Sequence, residues 1–446
     1  MIPTPGSHPL KGALFALVAL LLSAPAAHAQ FGKNKVQYRE FDFRVLRTEH
    51  FDIHYYPEAE DAVLDAARMA ERAYTRLSKV FRHDWEKRKP LVLYASQSDF
   101  QQTNIFRFQI SEGTAGITEG LRDRIVLFFP SAYPEFEHTL THELVHAFQF
   151  DILRRGALSQ GSNPFAFRMP LWFAEGMAEY LSTGSIDPLT AMWLRDGSLS
   201  GYLTSIDELS RVQDIRVYRF GQALWYYMGT KYGDEKIGEI MQKAPLIGVR
   251  EAIQSSLNVS LDKLSEDWLE AVRQTYVPQL VEHPSAKDFA TRLSNHIEHG
   301  ASINIAPALS PDGQKLAFVS DRDFFNDIYV ADASDGENAD KLVKGERSES
   351  FESLRFLRVG LSFSPDGQFL AFSSKAGERD ALYIMRVQDE KIVDSHRFHL
   401  DGIETPSWSP DGRRLVFTGQ QGGTSDLYVV NRDGTGLERL TDDRYA

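Results

Sequence analysis

Hydrophobic and polar positions repeat along the chain with two different periods. Residues 49–56 alternate with a period of two, and residues 91–95 and 124–129 are short apolar runs, so all three segments predict strands. Residues 58–81 place apolar side chains at helical spacing and predict one long helix. Similar patterns predict further helices at residues 134–153, 171–181, 220–232 and 261–276. A few strands followed by many helices indicate an α+β domain.

A repeated pattern begins after about residue 285. The tetrapeptide SPDG occurs at residues 310–313, 364–367 and 409–412, each time before an alternating strand pattern. A second strand pattern follows each copy, at residues 327–330, 381–384 and 426–429. Spacings of 54 and 45 residues match one four-stranded blade per repeat. The sequence therefore predicts a C-terminal all-β propeller, incomplete in this chain, with about three blades visible.

Length and composition narrow the class of protein. The chain has 446 residues, enough for two or three domains, and its 42% hydrophobic and 25% charged residues exclude a fibrous or disordered chain. A formal net charge of -13 argues against nucleic acid as a partner, because nucleic-acid-binding surfaces are basic. We expect three segments: a signal peptide at 1–29, a first domain at 30–285 and propeller repeats at 286–446.

The first 29 residues match the pattern of a secretory signal peptide. Lys11 precedes an apolar run at 12–22, and Ala27, His28 and Ala29 form a small-x-small cleavage site. A membrane anchor is the alternative, but this run is too short for roughly 30 Å of hydrocarbon. No later segment has 18 consecutive apolar residues, so we expect no membrane span after cleavage. The sequence predicts an exported protein, with a bacterial periplasm as its compartment.

The helical pattern at 134–153 contains the string HELVH at residues 142–146. His142 and His146 are four residues apart and share one helix face, where both imidazoles can bind one metal ion. Glu143, beside the first histidine, can reach a water molecule on that ion. The chain has no cysteine, so any further ligand must be His, Asp or Glu. His138 is expected not to bind the metal, because a fourth protein ligand would close the site to water.

A second helical pattern supplies the candidate third ligand. No histidine lies between His146 and His283, but the string WFAEGMAEY at 172–180 carries Glu175 and Glu179 one turn apart. With Glu175 on the metal, Glu179 can accept a hydrogen bond from the free ring nitrogen of a ligating histidine. Two histidines and one glutamate leave the fourth position open, as in catalytic zinc sites.

With these two motifs the chain resembles the gluzincin peptidases, the superfamily of thermolysin and aminopeptidase N, over roughly residues 45–280. The resemblance implies a thermolysin-like zincin domain. It also implies that one Zn²⁺ is bound by His142, His146 and Glu175. Glu143 would be the general base and Glu179 a residue that supports the ligands, in a hydrolysis of peptide bonds without a covalent intermediate.

The repeats between about residues 300 and 446 resemble the blades of TolB-like propellers and of prolyl oligopeptidase relatives. The serine chemistry of the latter is not expected, because the nearest match to G-x-S-x-G has Leu199 at the nucleophile position. We expect the propeller to bind a protein partner or to recruit protein substrates. The chain is expected to be a fragment, since propellers generally need four to eight blades to close.

A peptidase of this kind needs a hydrogen-bond donor for the oxyanion. In related enzymes a tyrosine or histidine after the glutamate helix is this donor, which favours Tyr218, expected just before a helix. A packing role is the alternative for Tyr218. Arg216 and Arg219 are the other candidate donors.

The segment from Gly116 to Gly120 (GITEG) bears on the choice between endopeptidase and aminopeptidase. In the aminopeptidase N family, a G-x-M-E-N segment in this place holds a glutamate that binds the free amine of the substrate, and Glu119 matches it. Thr118 and Gly120 replace the methionine and asparagine of that segment. This difference favours a turn leading into an edge strand that pairs with the substrate backbone.

Three functions remain open from the sequence. The first is an exported zinc endopeptidase whose propeller recruits substrates, the second is an aminopeptidase, and the third is a catalytically silent scaffold. The presence of every zinc-site residue favours an enzyme. Two structural expectations complete the prediction: Leu224, Trp225 and Met228 belong to the core, and the charged residues 86–89 are solvated surface.

Overall fold

The computed structural model describes residues 36–106, 108–130, 132–159, 161, 168–283 and 286–442. The predicted signal peptide at 1–29 lies outside the described residues. Within these ranges, no helix combines the length and the apolar character that a membrane crossing requires. Gln37–Ala446 cluster into one unit, in which helices and a mixed sheet come first and antiparallel sheets follow. The predicted mixture of α and β structure, with β-sheets at the C-terminal end, is confirmed.

A five-stranded sheet supports the first part of the chain. Its strands are β1 (Arg44–Arg47), β2 (Phe51–Tyr55), β3 (Lys89–Tyr94), β4 (Gly116–Glu119) and β5 (Arg124–Phe128). Their order is β1-β2-β3-β5-β4, with the central three parallel and both edge strands antiparallel to their neighbours. The three predicted strands are present.

The edge strand was predicted in the wrong place. The sequence suggested a turn followed by an edge strand at 124–129, but that segment, β5, lies inside the sheet. The turn-rich stretch before it contains β4, which is the edge. Two glycines and a threonine in five residues hid a strand of only four residues from the hydrophobic pattern.

Twelve helices are present in the described residues. They are α1 (Glu60–Phe81), α2 (Gln97–Gln101), α3 (Tyr133–Ser159), α4 (Leu171–Thr183), α5 (Pro188–Ser200), α6 (Ile206–Leu209), α7 (Arg216–Tyr232), α8 (Glu235–Ile247), α9 (Val249–Leu257), α10 (Leu261–Glu282), α11 (Ala286–Phe289) and α12 (His296–His299). The five predicted helices correspond to α1, α3, α4, α7 and α10.

Helix α7 begins four residues earlier than predicted. Asp214 Oδ1 accepts a hydrogen bond from the backbone N–H of Arg216 at 3.0 Å, which satisfies a free donor at the helix start. Tyr218 therefore lies within the first turn of α7 rather than before a helix. This correction places its side chain on the helix that packs against α4.

The core of the first part is rich in large aromatic side chains. Trp172, Trp225 and Trp268 are each at most 1% exposed and belong to one continuous cluster between the sheet and the helices. Leu224 and Met228 are equally buried, so the prediction that this stripe of α7 is core is confirmed. Burial of aromatic side chains of this size contributes strongly to stability and fixes the helices that carry the candidate site.

The prediction of solvated surface at residues 86–89 is wrong for Lys89, which is only 4% exposed. Its Nζ lies 2.9 Å from Asp151 Oδ1 on α3 and 3.1 Å from Asp123 Oδ1. His83 Nε2 lies 2.7 Å from the other oxygen of Asp151. The charge of Lys89 gave no sign of this burial, because its partners are distant in sequence.

We expect replacement of Asp151 by asparagine to destabilise the protein by about 3 kcal/mol at pH 7, since it removes one of the two carboxylates that pair with the buried Lys89. Burial alone would raise the pKa of Asp151, but hydrogen bonds from His83 and Lys89 outweigh it and hold that pKa well below its usual range. The depressed pKa means that Asp151 stabilises the fold above pH about 4 and loses this effect as the pH falls. Urea unfolding of both proteins at pH 7 and pH 3.5 tests this: the gap should narrow at the lower pH, and an equal gap would contradict it.

The C-terminal part consists of three four-stranded antiparallel sheets, which we call the first, second and third blades. The first blade contains β6 (Asn304–Leu309), β7 (Lys315–Ser320), β8 (Asp327–Asp332) and β9 (Asp340–Val343). The second contains β10 (Ser362–Phe363), β11 (Phe369–Ala376), β12 (Arg379–Arg386) and β13 (Lys391–His396). The third contains β14 (Gly402–Trp408), β15 (Arg414–Gln421), β16 (Thr424–Asn431) and β17 (Glu438–Arg439).

Each SPDG tetrapeptide forms the turn between the first two strands of a blade. In the first copy Ser310 Oγ donates to Asp312 Oδ1 at 2.6 Å, and the same oxygen accepts from the N–H of Gln314 at 3.0 Å. Gly313 has φ of +70°, a conformation that glycine adopts without strain. The other two copies repeat these contacts, so the local turn chemistry explains why the repeats were readable from sequence.

Candidate metal centre

Helix α3 positions the two histidines of the HELVH string. His142 and His146 lie one turn apart on the same face, and their Nε2 atoms are 3.1 Å from each other. Both side chains are largely buried, at 12% and 13% exposure. This is the predicted arrangement, with the two ring nitrogens directed at one point.

Helix α4 brings Glu175 to the same point. Its Oε2 lies 3.3 Å from His142 Nε2 and 3.1 Å from His146 Nε2. The three atoms form one of two groups in the described residues whose spacing suits a metal ion. The sequence separation of 29 residues between His146 and Glu175 is closed by the packing of α4 along α3.

The donor set and its spacing fit zinc. Ligand atoms at roughly 2.0–2.1 Å from a tetrahedral zinc ion lie about 3.3–3.4 Å from one another. The three observed separations, 3.1, 3.1 and 3.3 Å, agree with that edge length within a few tenths of an ångström. Two imidazoles and one carboxylate are ligands that zinc accepts, and a site with three protein ligands keeps the fourth tetrahedral position for water.

Glu179 contacts the ring nitrogen of His142 that does not face the other candidate ligands. Its Oε1 lies 3.1 Å from His142 Nδ1, so it fixes the ring orientation that points Nε2 at the other ligands. The same oxygen is 3.4 Å from His138 Nε2, and Arg219 Nη1 lies 3.3 Å from Oε2. This contact is the one that the sequence analysis expected of Glu179, and its role in supporting a metal ligand stays a prediction. His138 contacts Glu179 and lies outside the group of Glu175, as expected for a residue that does not bind the metal there.

A second group of side chains has a spacing that suits a metal ion: His138, His142 and Glu179. It includes the contact between Glu179 and His142 that was just described. In this group His142 would offer its Nδ1 atom, which lies 3.1 Å from Glu179 Oε1. The guanidinium of Arg219 stands beside the same carboxylate and disfavours a second cation. We therefore assign the centre to the group that contains Glu175.

Burial and charge determine the protonation of His142. Burial lowers the pKa of His142, but hydrogen bonds to the carboxylates of Glu175 and Glu179 outweigh it and raise the pKa to about 10. The same contacts hold the pKa of Glu175 below its usual range, against the effect of its burial. A metal ion that binds His142 must displace a proton, so affinity is expected to rise with pH.

Gln149 holds the second histidine, and the sequence analysis missed it. Its Oε1 lies 2.9 Å from His146 Nδ1, and its Nε2 donates to the carbonyl of Ala174 on α4 at 3.1 Å. The side chain is 1% exposed. The spacing of three residues after His146 was the available signal, since it places both on one helix face. Gln149 also ties α3 to the residue before Glu175.

We expect Gln149→Leu to weaken zinc binding by roughly 10- to 100-fold, the usual effect of losing a hydrogen-bond partner of a ligating histidine. The fold should survive, because leucine fills a similar volume. Zinc affinity, measured by competition with a chromophoric chelator, tests this expectation. Gln254→Leu on α9, far from α3 in sequence, is the control, and equal affinities in the two variants would contradict the role of Gln149.

Glu143, next to His142 in the chain, lies against the edge strand β4. Thr118 Oγ1 donates to Glu143 Oε2 at 2.6 Å and also lies 2.9 Å from its backbone carbonyl oxygen. A Cβ on Gly116 would stand only 2.7 Å from the Glu143 side chain, so the glycine provides the space that this carboxylate occupies. Glu143 is 6% exposed. Strand β4 thus holds the candidate base in place.

Tyr218 stands beside the cluster. Its ring lies 6.3 Å from that of His142 and is nearly parallel to it. Burial and the neighbouring carboxylates raise the pKa of Tyr218, so the hydroxyl stays protonated and can donate. The two arginines offered as alternative donors are engaged elsewhere: Arg219 with Glu179, and Arg216 with Asp214 at 2.7 Å.

Glu119 is paired within the sheet. Its Oε2 accepts hydrogen bonds from Nε and Nη2 of Arg124 at 2.8 and 2.6 Å, across the β4–β5 ladder. A carboxylate held by a two-pronged arginine contact is a poor receptor for a substrate amine. The position of Glu119 therefore disfavours the aminopeptidase interpretation.

Comparisons with known proteins concern the blades. A family model described as the TolB beta propeller domain matches residues 341–445. TolB from Acinetobacter baumannii is 26% identical over 32% of this chain and 33% of its own, with a TM-score of 0.26. An oligogalacturonate lyase from Vibrio parahaemolyticus is 15% identical over 34% of this chain and 44% of its own, with a TM-score of 0.27.

No curated protein matches the chain. The chain spans less than half the length of either of the two solved structures. The family match covers the second and third blades and the end of the first. Residues 341–445 are therefore a TolB-like β-propeller domain, which in this chain follows a helical portion with a mixed sheet.

Proposed function

We propose that this chain is an exported zinc-dependent peptidase that hydrolyses internal peptide bonds with Glu143 as general base. The observation that carries the proposal is the convergence of one Glu175 oxygen and two histidine nitrogens within 3.3 Å of one another, beside a buried carboxylate. In this proposal the ligands are His142, His146 and Glu175, with Glu179 supporting the first of them. The TolB-like blades would bind a protein partner or recruit protein substrates.

The residues of the site have distinct tasks in this reaction. Glu143 takes a proton from the attacking water and returns it to the leaving amine, and the hydrogen bond from Thr118 orients the carboxylate that does so. Tyr218 donates a hydrogen bond to the oxyanion that forms at the scissile carbonyl. A zinc ion held by the three ligands would polarise that carbonyl and lower the pKa of water.

Two contacts support internal cleavage rather than removal of N-terminal residues. Glu119, the candidate receptor for a free amine, is neutralised by Arg124. Strand β4 is the last strand of its sheet, and among the described residues no strand pairs with its other edge. An extended peptide can add to such an edge through backbone hydrogen bonds, which a chain interior does as well as a terminus.

Mass-spectrometric digestion of a library of free and N-terminally blocked peptides tests the proposal. The full chain is treated with a chelator and then reconstituted with zinc, and both preparations are compared. Internal cuts in blocked peptides by the reconstituted protein alone are expected. Cuts confined to free N-termini would establish the aminopeptidase interpretation, and no zinc-dependent cuts would leave a silent scaffold.

A further inference from the structure

Arg355, in the connection between the first and second blades, is buried at the contact with the first part of the chain. It is 4% exposed, and its backbone has φ of +51°, the left-handed region that arginine rarely adopts. Burial of a guanidinium and a left-handed backbone are both unfavourable and must be offset by the contacts they permit. The contacts of Arg355 must therefore contribute enough to compensate for both.

On one side, Arg355 is fixed to the blades. Its Nε and Nη2 lie 3.1 and 2.9 Å from Oδ1 of Asp380, which is itself 3% exposed on β12. The second oxygen of Asp380 accepts a hydrogen bond at 3.1 Å from the N–H of Ile403, at the start of the third blade. Through Asp380, the guanidinium is thus tied to both the second and the third blade.

On the other side, the guanidinium contacts α2 and the segment before β4. Nη1 donates to Gln97 Oε1 at 3.1 Å, and Nη2 donates to Ser98 Oγ. Glu112 Oε1 lies 4.0 Å from Nη1 in an ion pair of two buried side chains. Gln97 completes a bridge, because its Nε2 donates to the Glu112 carbonyl at 2.8 Å. Arg355 therefore reaches Glu112 both directly and through Gln97.

Glu112 is four residues from the strand that holds the candidate base. It lies within a turn from Ser111 to Thr114, which is closed by a backbone hydrogen bond of 3.2 Å and a contact of 2.9 Å between the hydroxyls of those two residues. Leu357, two residues after Arg355, lies beside Gly113 in the same turn. Because the turn is short and internally bonded, we expect a shift of Glu112 to displace Gly116 at the start of β4.

We propose that Arg355 is a positioning residue: it holds the turn at 111–114, and through that turn the register of β4, so that Thr118 and Gly116 fit against Glu143. The inference rests on the proposed function and adds a regulation of the same site. A partner that tilts the second blade would change the orientation of the general base without contacting the metal ligands. The blades would then control the position of the general base in addition to binding a partner.

Hydrogen exchange on the full chain, followed by mass spectrometry of proteolytic peptides, tests the proposal together with peptidase kinetics. The variants are Arg355→Met and Gln97→Leu, which removes the bridge but leaves the pair with Asp380 intact. Arg358→Met is the matched control: Arg358 makes an ion pair across the same contact, but its partner Glu135 lies on α3.

We expect exchange of the backbone amides at 111–119 to rise about tenfold in Arg355→Met and Gln97→Leu, and to stay within about twofold of the parent in Arg358→Met. Bound zinc should be unchanged in all three. The value of kcat should fall about tenfold in the first two variants while KM changes little, because the base is misplaced and substrate contacts are kept.

Unchanged exchange at 111–119 in Gln97→Leu would overturn the proposal. The result for Arg355→Met does not change this conclusion, because that variant can also lose its fold as a whole. A rise of the same size in Arg358→Met would also overturn it, because any loosened contact would then suffice. A parent protein that cuts no peptide but shows the expected exchange pattern would refute the proposed function and leave the positioning role standing.

Discussion

Replacing Glu143 by glutamine is expected to lower kcat/KM for peptide hydrolysis about 10³-fold while the protein keeps its zinc. Glutamine preserves the size of the side chain and can keep a contact with Thr118 Oγ1, now 2.6 Å from the carboxylate. It cannot accept a proton from water at neutral pH. Because Glu143 lies outside the group of ligand atoms, its loss should not change metal affinity.

Glu137→Gln is the matched control for this experiment. Glu137 lies on the same helix, but its side chain is 51% exposed and pairs with Arg72 at 3.2 Å on the surface. This variant should keep the activity of the parent. Rates are measured on an internally quenched peptide, with zinc content determined by mass spectrometry for all three proteins. Retention of more than a tenth of the activity in Glu143→Gln, with zinc bound, would show that another group is the base.

The candidate ligands could be identified from the sequence because they sit at fixed helical spacings within two short motifs. His142 and His146 share a helix face whatever surrounds them, and Glu175 and Glu179 repeat the same relation on α4. The sequence did not show how the two helices pack against each other. The contact of Glu175 with both histidines depends on how α3 and α4 pack.

Three roles that the sequence analysis missed or misassigned depend on contacts across long sequence separations. Thr118 contacts Glu143 from 25 positions away, on a strand too short to show a pattern. Arg219 was considered as an oxyanion donor and instead lies against Glu179. Lys89 was assigned to the surface and is paired inside with Asp151. In each case the side chain alone is compatible with several roles, and its distant partner selects one.

The blades show the opposite situation. Their turns depend on contacts within a few residues, such as Ser310 with Asp312, so three copies of one local pattern were enough to place their strands. Their packing onto the first part of the chain was not predictable. Arg355 carries no motif, and its partners Gln97 and Glu112 lie more than 200 residues away.

Helices α4 and α7 are in close contact at two glycines, Gly176 on α4 and Gly221 on α7. A Cβ on Gly176 would stand 2.3 Å from the carbonyl carbon of Gly221, and a Cβ on Gly221 would stand 2.7 Å from the carbonyl oxygen of Trp172. These neighbours are backbone atoms, which cannot rotate away as a side chain can. The two helices carry Glu175 and Tyr218, so this crossing sets the width of the candidate site.

Gly176→Ala is therefore expected to destabilise the protein by about 3 kcal/mol through overpacking, although alanine favours a helix over glycine by about 1 kcal/mol. Separation of α4 from α7 would also displace Glu175 and weaken zinc binding. Denaturant unfolding and zinc affinity measure the two effects.

The control is Gly197→Ala on α5, where the added carbon meets only the end of the Leu203 side chain at 2.9 Å and ring atoms at 3.3 Å. That variant should stay within about 1 kcal/mol of the parent, because a leucine end can move aside. Equal stabilities for the two variants would show that the helices can separate without loss, and the crossing would then not be what holds Glu175 against the histidines.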